Sequence, residues 1–271
     1  MGLQFSRNSM VRTRDFMVGI LLVAGFGWPL SSFAQMWDNI DGTLGSLSPE
    51  KLAKKRPKAP FDLTGTWMIS GDFRFTPLPK FKPATALTYQ AAIDARASGK
   101  SYNDDIGQCW PPGMPVIMTR VWPIHMIQLP TAIVMISNFE NKVRWIYLDG
   151  RQHMDPDLYV PSYNGESIGR WEGDTLVVDS RNFETKKHWI MAGVPISDQF
   201  HLVEKIKLGA DGESLEIENI MTDPENWEGQ WISTKKYKRE HKVDFLEVHC
   251  LPDLNEGIPA VSDDYNINTT D

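Results

Sequence analysis

"PIHMIQLPTAIVMISNFENKVRWIYL", residues 123–148, decides the fold. "PIHMIQL" and "TAIVMIS" are short apolar runs that meet at Pro130 and Thr131. "NKVRWIYL" follows after the polar turn "FEN". Each run has strand length and is rich in Ile, Val and aromatic residues. Gaps of two to five residues favour antiparallel hairpins, because a parallel step needs a long crossover.

The same spacing recurs on both sides. "DLTGTWMIS" opens the domain as its first strand. "SIGRW" and "TLVVDS" flank Glu172, Gly173 and Asp174, and "HLVEKIKL" and "SLEIENIM" flank "GADGE". "WISTKKYKRE" follows, and "DFLEV" reads as a last strand. In "HLVEKIKL", Leu202, Ile206 and Leu208 share one face, and Lys205 and Lys207 take the other. That strand is half-exposed, whereas the two runs from 123 to 137 are apolar on both faces and call for a cover. Roughly eight to ten strands in a meander must bury an apolar face, and closing into a barrel removes the sheet edges. The expected fold is therefore mainly β: an antiparallel, lipocalin-like barrel with one packed helix. A two-sheet β-sandwich is the alternative. "TALTYQAAIDARASGK" supplies the helix, with Gly99 as its left-handed cap, and is the expected cover.

Four segments are expected. Residues 1–34 read as a signal peptide: Arg7, Arg12 and Arg14 precede an 11-residue apolar core, Phe16 to Phe26, and Ser32 and Ala34 set cleavage after Ala34. The core is short against the roughly 20 residues of a membrane span, though an uncleaved anchor is the competing reading. Residues 35–60 form a lead-in arm, in which Ser48 caps a short helix starting at Pro49. Residues 61–252 form a single β-barrel-like domain, and 253–271 a C-terminal tail. This predicts a periplasmic or secreted protein with no stable membrane insertion after cleavage.

Charge narrows the partners. The chain holds 28 basic and 35 acidic residues, a net −7, which becomes −9 without the leader. Such a balance argues against nucleic acid. "KLAKKRPK", the one basic cluster, reads as a solvated arm. In an exported chain the two cysteines, Cys109 and Cys250, are expected to form a disulfide, worth up to ~4.7 kcal/mol by chain entropy. A catalytic thiol is the other option, but nothing near Cys109 looks like an activating base.

Chemistry concentrates in "YLDGRQHMDPD", residues 147–157. Val143, Trp145 and Tyr147 alternate on one strand face, and Arg144, Ile146 and Leu148 on the other. Asp149 and Gly150 make a turn, which places Arg151, His153, Asp155 and Asp157 on a loop at a barrel rim. A rim histidine oriented by a carboxylate can act as a general base, with Tyr147 and Arg151 as electrophilic partners. The plain reading is a polar turn with a solvated His153. Asp155 and Asp157 offer cation ligands, but no metal-site spacing accompanies them. His125 and His201 are either satisfied structural histidines or proton shuttles on a barrel wall. His188 reads as a surface or loop residue. Glu172 and Asp174 read as turn formers rather than a glycosidase pair. Arg170 beside Trp171 could clamp a carboxylate or phenolate. Trp122 and Trp145 are further ligand-wall candidates. No serine-hydrolase elbow, phosphate loop, dinucleotide fingerprint or C-x-x-C is present, and no cofactor is expected.

Two resemblances follow from these residues. Gly65-Thr66-Trp67 resembles the G-x-W signature of lipocalins, in which a late arginine packs across the tryptophan; Arg239 would take that role here. "CWPPGMP", "IYLDGRQH", "SIGRWEGDTLVVD" and "FLEVHC", in this order, resemble blocks of a family of uncharacterised secreted bacterial proteins. That resemblance implies export and a cysteine near each end of the domain, and it implies no activity. The functional expectation is a cofactor-independent lyase or isomerase acting by proton transfer on a small hydrophobic, aromatic or terpenoid-like molecule. Its base would be His153 or His125, with His201 and Asp149 in support. A carrier of such molecules, without chemistry, is the alternative.

Overall fold

The computed structural model describes residues 44–100, 102 and 106–251. The chain divides into two compact units, and every element below belongs to Gly45–Asp271. The expected leader and the tail from 253 lie outside the described residues.

Helix α1 (Pro49–Ala53) is capped by Ser48, whose Oγ accepts from Lys51 N at 3.2 Å. Strands β1 (Gly65–Ile69) and β2 (Lys80–Phe81) precede helix α2 (Pro83–Ala97). Then come β3 (Ile124–Gln128), β4 (Ala132–Ser137), β5 (Val143–Tyr147), β6 (Glu166–Glu172) and β7 (Thr175–Arg181). They are followed by β8 (Trp189–Met191), β9 (Val194–Pro195), β10 (His201–Leu208), β11 (Ser214–Thr222), β12 (Trp227–Glu228) and β13 (Gln230–Glu240).

Nine strands close a barrel in the order β1-β13-β11-β10-β7-β6-β5-β4-β3, which excludes the sandwich. Sequence neighbours stay neighbours around the ring, as a meander requires. Nine is odd, so strictly alternating directions cannot close the ring, and one adjacent pair must be parallel. That pair is β5 and β6, with Ile146 beside Ser167 and Tyr147 beside Ile168. A parallel step needs a crossover. Residues 148–165 supply it, so "YLDGRQHMDPD" closes no hairpin: it starts the one long return across the barrel surface.

The lumen is filled. Trp67, Ile133, Ile146, Leu176, Val178, Leu202 and Ile206 are all 0 % exposed, so they border neither solvent nor a void that admits water. Arg239 packs across Trp67, its guanidinium carbon 4.3 Å from the ring centroid. A side chain at Gly65 would place Cβ 2.2 Å from Arg239 Nη1, and the residue's φ of +146° adds to the demand for glycine.

Helix α2 ends as expected: Gly99 adopts φ +77°, and Lys100 N donates to Ala95 O at 3.0 Å. Its place differs from expectation. It packs on β9, where Thr88 Oγ1 donates to Gly193 O at 2.6 Å, rather than on the strands of residues 123–137. The segment after β13 lies instead against the outer face of β3 at His125, leaving Ile127 exposed. "DFLEV" lies in that segment as an extended strap, not a strand. Phe245 packs edge-on against His125 at 5.6 Å, and Asn141 Nδ2 donates to Val248 O at 2.9 Å. Cys250 then joins Cys109 in the disulfide.

Candidate functional site

The crossover is pinned at both ends of its polar stretch. Asp149 has a side chain only 1 % exposed and accepts from three cationic nitrogens: Arg151 Nε at 2.9 Å, Arg151 Nη2 at 2.7 Å and Lys51 Nζ at 2.9 Å. Burial pushes its carboxyl up, but the Arg151 and Lys51 hydrogen bonds outweigh that and hold it well below the usual range. Arg151 in turn lies 3.8 Å above the Tyr147 ring, and Tyr147 stacks on Trp145 at 6.5 Å and 19°.

His153 holds the far end. Its Nδ1 donates to Glu166 Oε2 at 2.9 Å and its Nε2 to Asp179 Oδ1 at 2.9 Å. Met154 N adds a bond of 3.1 Å to each Glu166 oxygen. Asp179 Oδ1 is also 3.1 Å from Arg181 Nε and 3.0 Å from His201 Nε2, the latter at an angle that misses a hydrogen bond. The Asp179 and Glu166 hydrogen bonds overcome burial and raise the His153 pKa to about 9. Asp179 is raised by burial, yet the surrounding nitrogens hold it far below the usual range.

This geometry sets a carboxylate oxygen on each ring nitrogen of His153. A histidine that donates from both nitrogens has no lone pair to receive a proton at neutral pH. His125 does not face the lumen: it pairs across strands with Thr66, and one tautomer satisfies Thr66 Oγ1 at 2.9 Å and Asn138 Oδ1 at 3.0 Å beneath the strap. His201 serves Asp179. Arg170 is exposed and bonds Glu172 Oε1 at 2.7 Å near the β6–β7 hairpin, and it is not among the residues that line the groove between β5 and the crossover. Trp171 packs edge-on against Phe61 at 4.8 Å, and Trp122 sits exposed before β3. Asp155 caps a 3₁₀ turn by accepting from Asp157 N at 3.0 Å, and both side chains are exposed. Among the described residues no group of three or more His, Cys, Asp or Glu is arranged to hold a metal ion.

Trp145, Tyr147 and Arg151 do converge. They form one wall of a groove of about 410 Å³ between the outer face of β5 and the crossover, closed by Met154, Tyr159, Tyr163 and Glu166. Pro111 and Gly113 complete it from the loop that follows Cys109. A second hollow of about 430 Å³ lies between α2 and β8, lined by Trp189 with Arg96, Lys100, Arg120 and Lys187. Tyr102 and Ile106 also line it.

Three features escaped the sequence reading. Arg144 and Glu204 form a buried ion pair, which crosses the lumen because β5 and β10 are not neighbours. Ser167 Oγ and Ser180 Oγ flank the guanidinium, accepting from Arg144 at 3.1 and 3.0 Å. Glu166 and Asp179 are the acids that fix His153. His188, read as a surface or loop residue, lies on the loop before β8 but is 1 % exposed, with Nδ1 2.8 Å from Glu184 O and Nε2 3.0 Å from Met114 O; burial pushes its pKa down to about 4.

No protein-family profile matches the chain, and no curated protein matches it. Among solved structures it is similar to apo Caenorhabditis elegans lipid binding protein 8, at 10 % identity and a TM-score of 0.32, covering 65 % of this chain and 94 % of that one. It is also similar to a point mutant of the REP1-NXSQ fatty acid transporter, at 12 % identity and a TM-score of 0.28, covering 66 % and 98 %. At these scores neither likeness bears on what this chain binds.

Proposed function

We propose that this chain is an exported, periplasmic or secreted, binding protein for a small hydrophobic molecule, seated in the groove outside the barrel. One observation carries the reading: Trp145, Tyr147 and Arg151 stack into a flat wall on an open groove of about 410 Å³. That volume is in the range of small-molecule sites, and aromatic walls with a few polar groups are their usual lining. The lumen offers no such space. The crossover that roofs the groove is held by Asp149 and His153, so the site is preformed and ordering it on binding costs little. The polar side chains there are consumed in holding the crossover, which favours a carrier over an acid–base enzyme.

The test is isothermal titration of the mature chain from Gln35 with aromatic and terpenoid-like compounds, alongside Trp145→Ala. Micromolar binding that weakens tenfold or more in the variant supports the groove. Binding indifferent to Trp145→Ala, or no binding across the panel, overturns it.

A further inference from the structure

Resting on that groove reading, we infer that the ligand is a small aromatic anion, such as an aryl carboxylate, with Arg151 as the seat for its charge. The argument begins with how the guanidinium is held. Asp149 takes the Nε and Nη2 edge, and the Tyr147 ring takes one face. Nη1 has no acceptor among the described residues, and the side chain is 28 % exposed on the groove. Arginine presents five donors in a rigid fork. Two are spent on fixing the plane, and Nη1 is left for a ligand in the groove that Arg151 lines together with Trp145 and Tyr147. A guanidinium already oriented loses little freedom when a carboxylate arrives.

The local charge balance agrees. Asp149 is shared between Arg151 and Lys51, so one acid faces two cations. Glu166, the carboxylate on the opposite side, is covered by His153 Nδ1, the Met154 amide and, at 3.3 Å, Asn182 Nδ2, with its side chain 4 % exposed. Its hydrogen-bonding capacity is therefore spent on these three donors, while its charge still reaches Arg151 and Tyr159. Lys142 lies on the groove, with Glu140 Oε2 3.5 Å away outside the lining. With Lys142 matched by Glu140 and Glu166 by His153, the surplus is the one positive charge that Arg151 and Lys51 leave over Asp149, beside an aromatic wall in a chain that is acidic overall.

Matched probes separate this inference from the groove reading. 2-Naphthoate and the neutral 2-naphthamide share a ring system and differ in charge. Titrated at pH 7 into wild type, Arg151→Gln and Trp145→Ala, the carboxylate is expected to bind at least tenfold more tightly than the amide. Arg151→Gln should bring the two within about twofold, and Trp145→Ala should weaken both. Arg151→Gln leaves Lys51 on Asp149, so the acid keeps a partner, and an unchanged thermal melt confirms the fold. Equal binding of both probes, weakened by Trp145→Ala, overturns the anion inference and leaves the groove standing. Failure of both probes and of all one- to three-ring carboxylates overturns the groove and the inference together.

Discussion

His153 bridges Glu166 and Asp179, at 2.9 Å to each, and so ties the crossover to two adjacent strands, β6 and β7. The bridge is charged. Its pKa is raised from 6.5 to about 9, so its stabilisation is complete below about pH 6.5 and disappears as pH rises through 9. The partial exposure of His153 discounts the full linkage to an order of 2 kcal/mol. The urea midpoint should therefore fall between pH 6.5 and 9.5. His153→Gln should start lower at pH 6 and lose that decline. A wild-type midpoint constant across the window would show that the bridge carries no charge.

Inside the barrel, Arg144 and Glu204 lie at 3 % and 0 % side-chain exposure, so neither can turn to water if the other is lost. Glu204→Gln or Arg144→Met alone should cost about 3–5 kcal/mol, because each strands a buried charge. The double variant Arg144→Met with Glu204→Leu should recover most of that loss, since Ser167 and Ser180 retain their mutual hydrogen bond of 2.9 Å. Urea unfolding of the three variants decides it. Additive losses in the double variant would mean that the pair is not the coupling element.

That pair was legible by parity. Arg144 alternates with Ile146 and Leu148, and Glu204 with Leu202 and Ile206, so both charges fall on the inward face of their strands. The sequence reading grouped Leu202, Ile206 and Leu208 without asking what Glu204 did among them. The barrel, the α2 cap at Gly99 and the Cys109–Cys250 disulfide were also readable, because each rests on local pattern or on simple pairing. The crossover was not. A parallel β5–β6 step follows from an odd strand count, and composition fixed that count only to within one or two. Without the step, Glu166 and Asp179 could not be placed beside His153, and a structural bridge looked like a rim base.

Trp67 and Arg239 close one end of the barrel. Arg239 Nη1 donates to Thr64 O at 2.7 Å and Nε to Gly212 O at 3.0 Å, so one side chain caps two loops while covering the indole. Arg239→Ala should cost about 2 kcal/mol, from two charge-assisted bonds and the ring contact. Gly65→Ala should cost more, from the clash with Nη1 and the backbone strain together. In a double-mutant cycle Arg239→Ala should relieve part of the Gly65→Ala loss, because only the clash disappears. Simple additivity in thermal melts would place the whole effect in the backbone.

The disulfide joins the strap to the groove, and reduction should affect both. Cys250 ends the segment laid over β3, and Cys109 begins the loop that brings Pro111 and Gly113 to the groove wall. Gly113 is wedged there: at φ +63°, a Cβ would sit 2.3 Å from His188 Nε2 and 2.6 Å from Tyr163 O. The loop therefore has a second anchor, but the strap holds mainly through Phe245 and Asn141. With a sequence separation of 141, the cross-link should contribute on the order of 5 kcal/mol. Reduction, or the pair Cys109→Ala and Cys250→Ala, should lower the urea midpoint accordingly. Hydrogen exchange should then accelerate at the Phe245 and Val248 amides and less at Met114, whose N donates to Tyr163 O at 2.9 Å. The β10–β11 amides should keep their protection at moderate urea. Equal acceleration everywhere would mean that strap and barrel unfold as one unit, with the disulfide acting on the whole fold rather than on its cover.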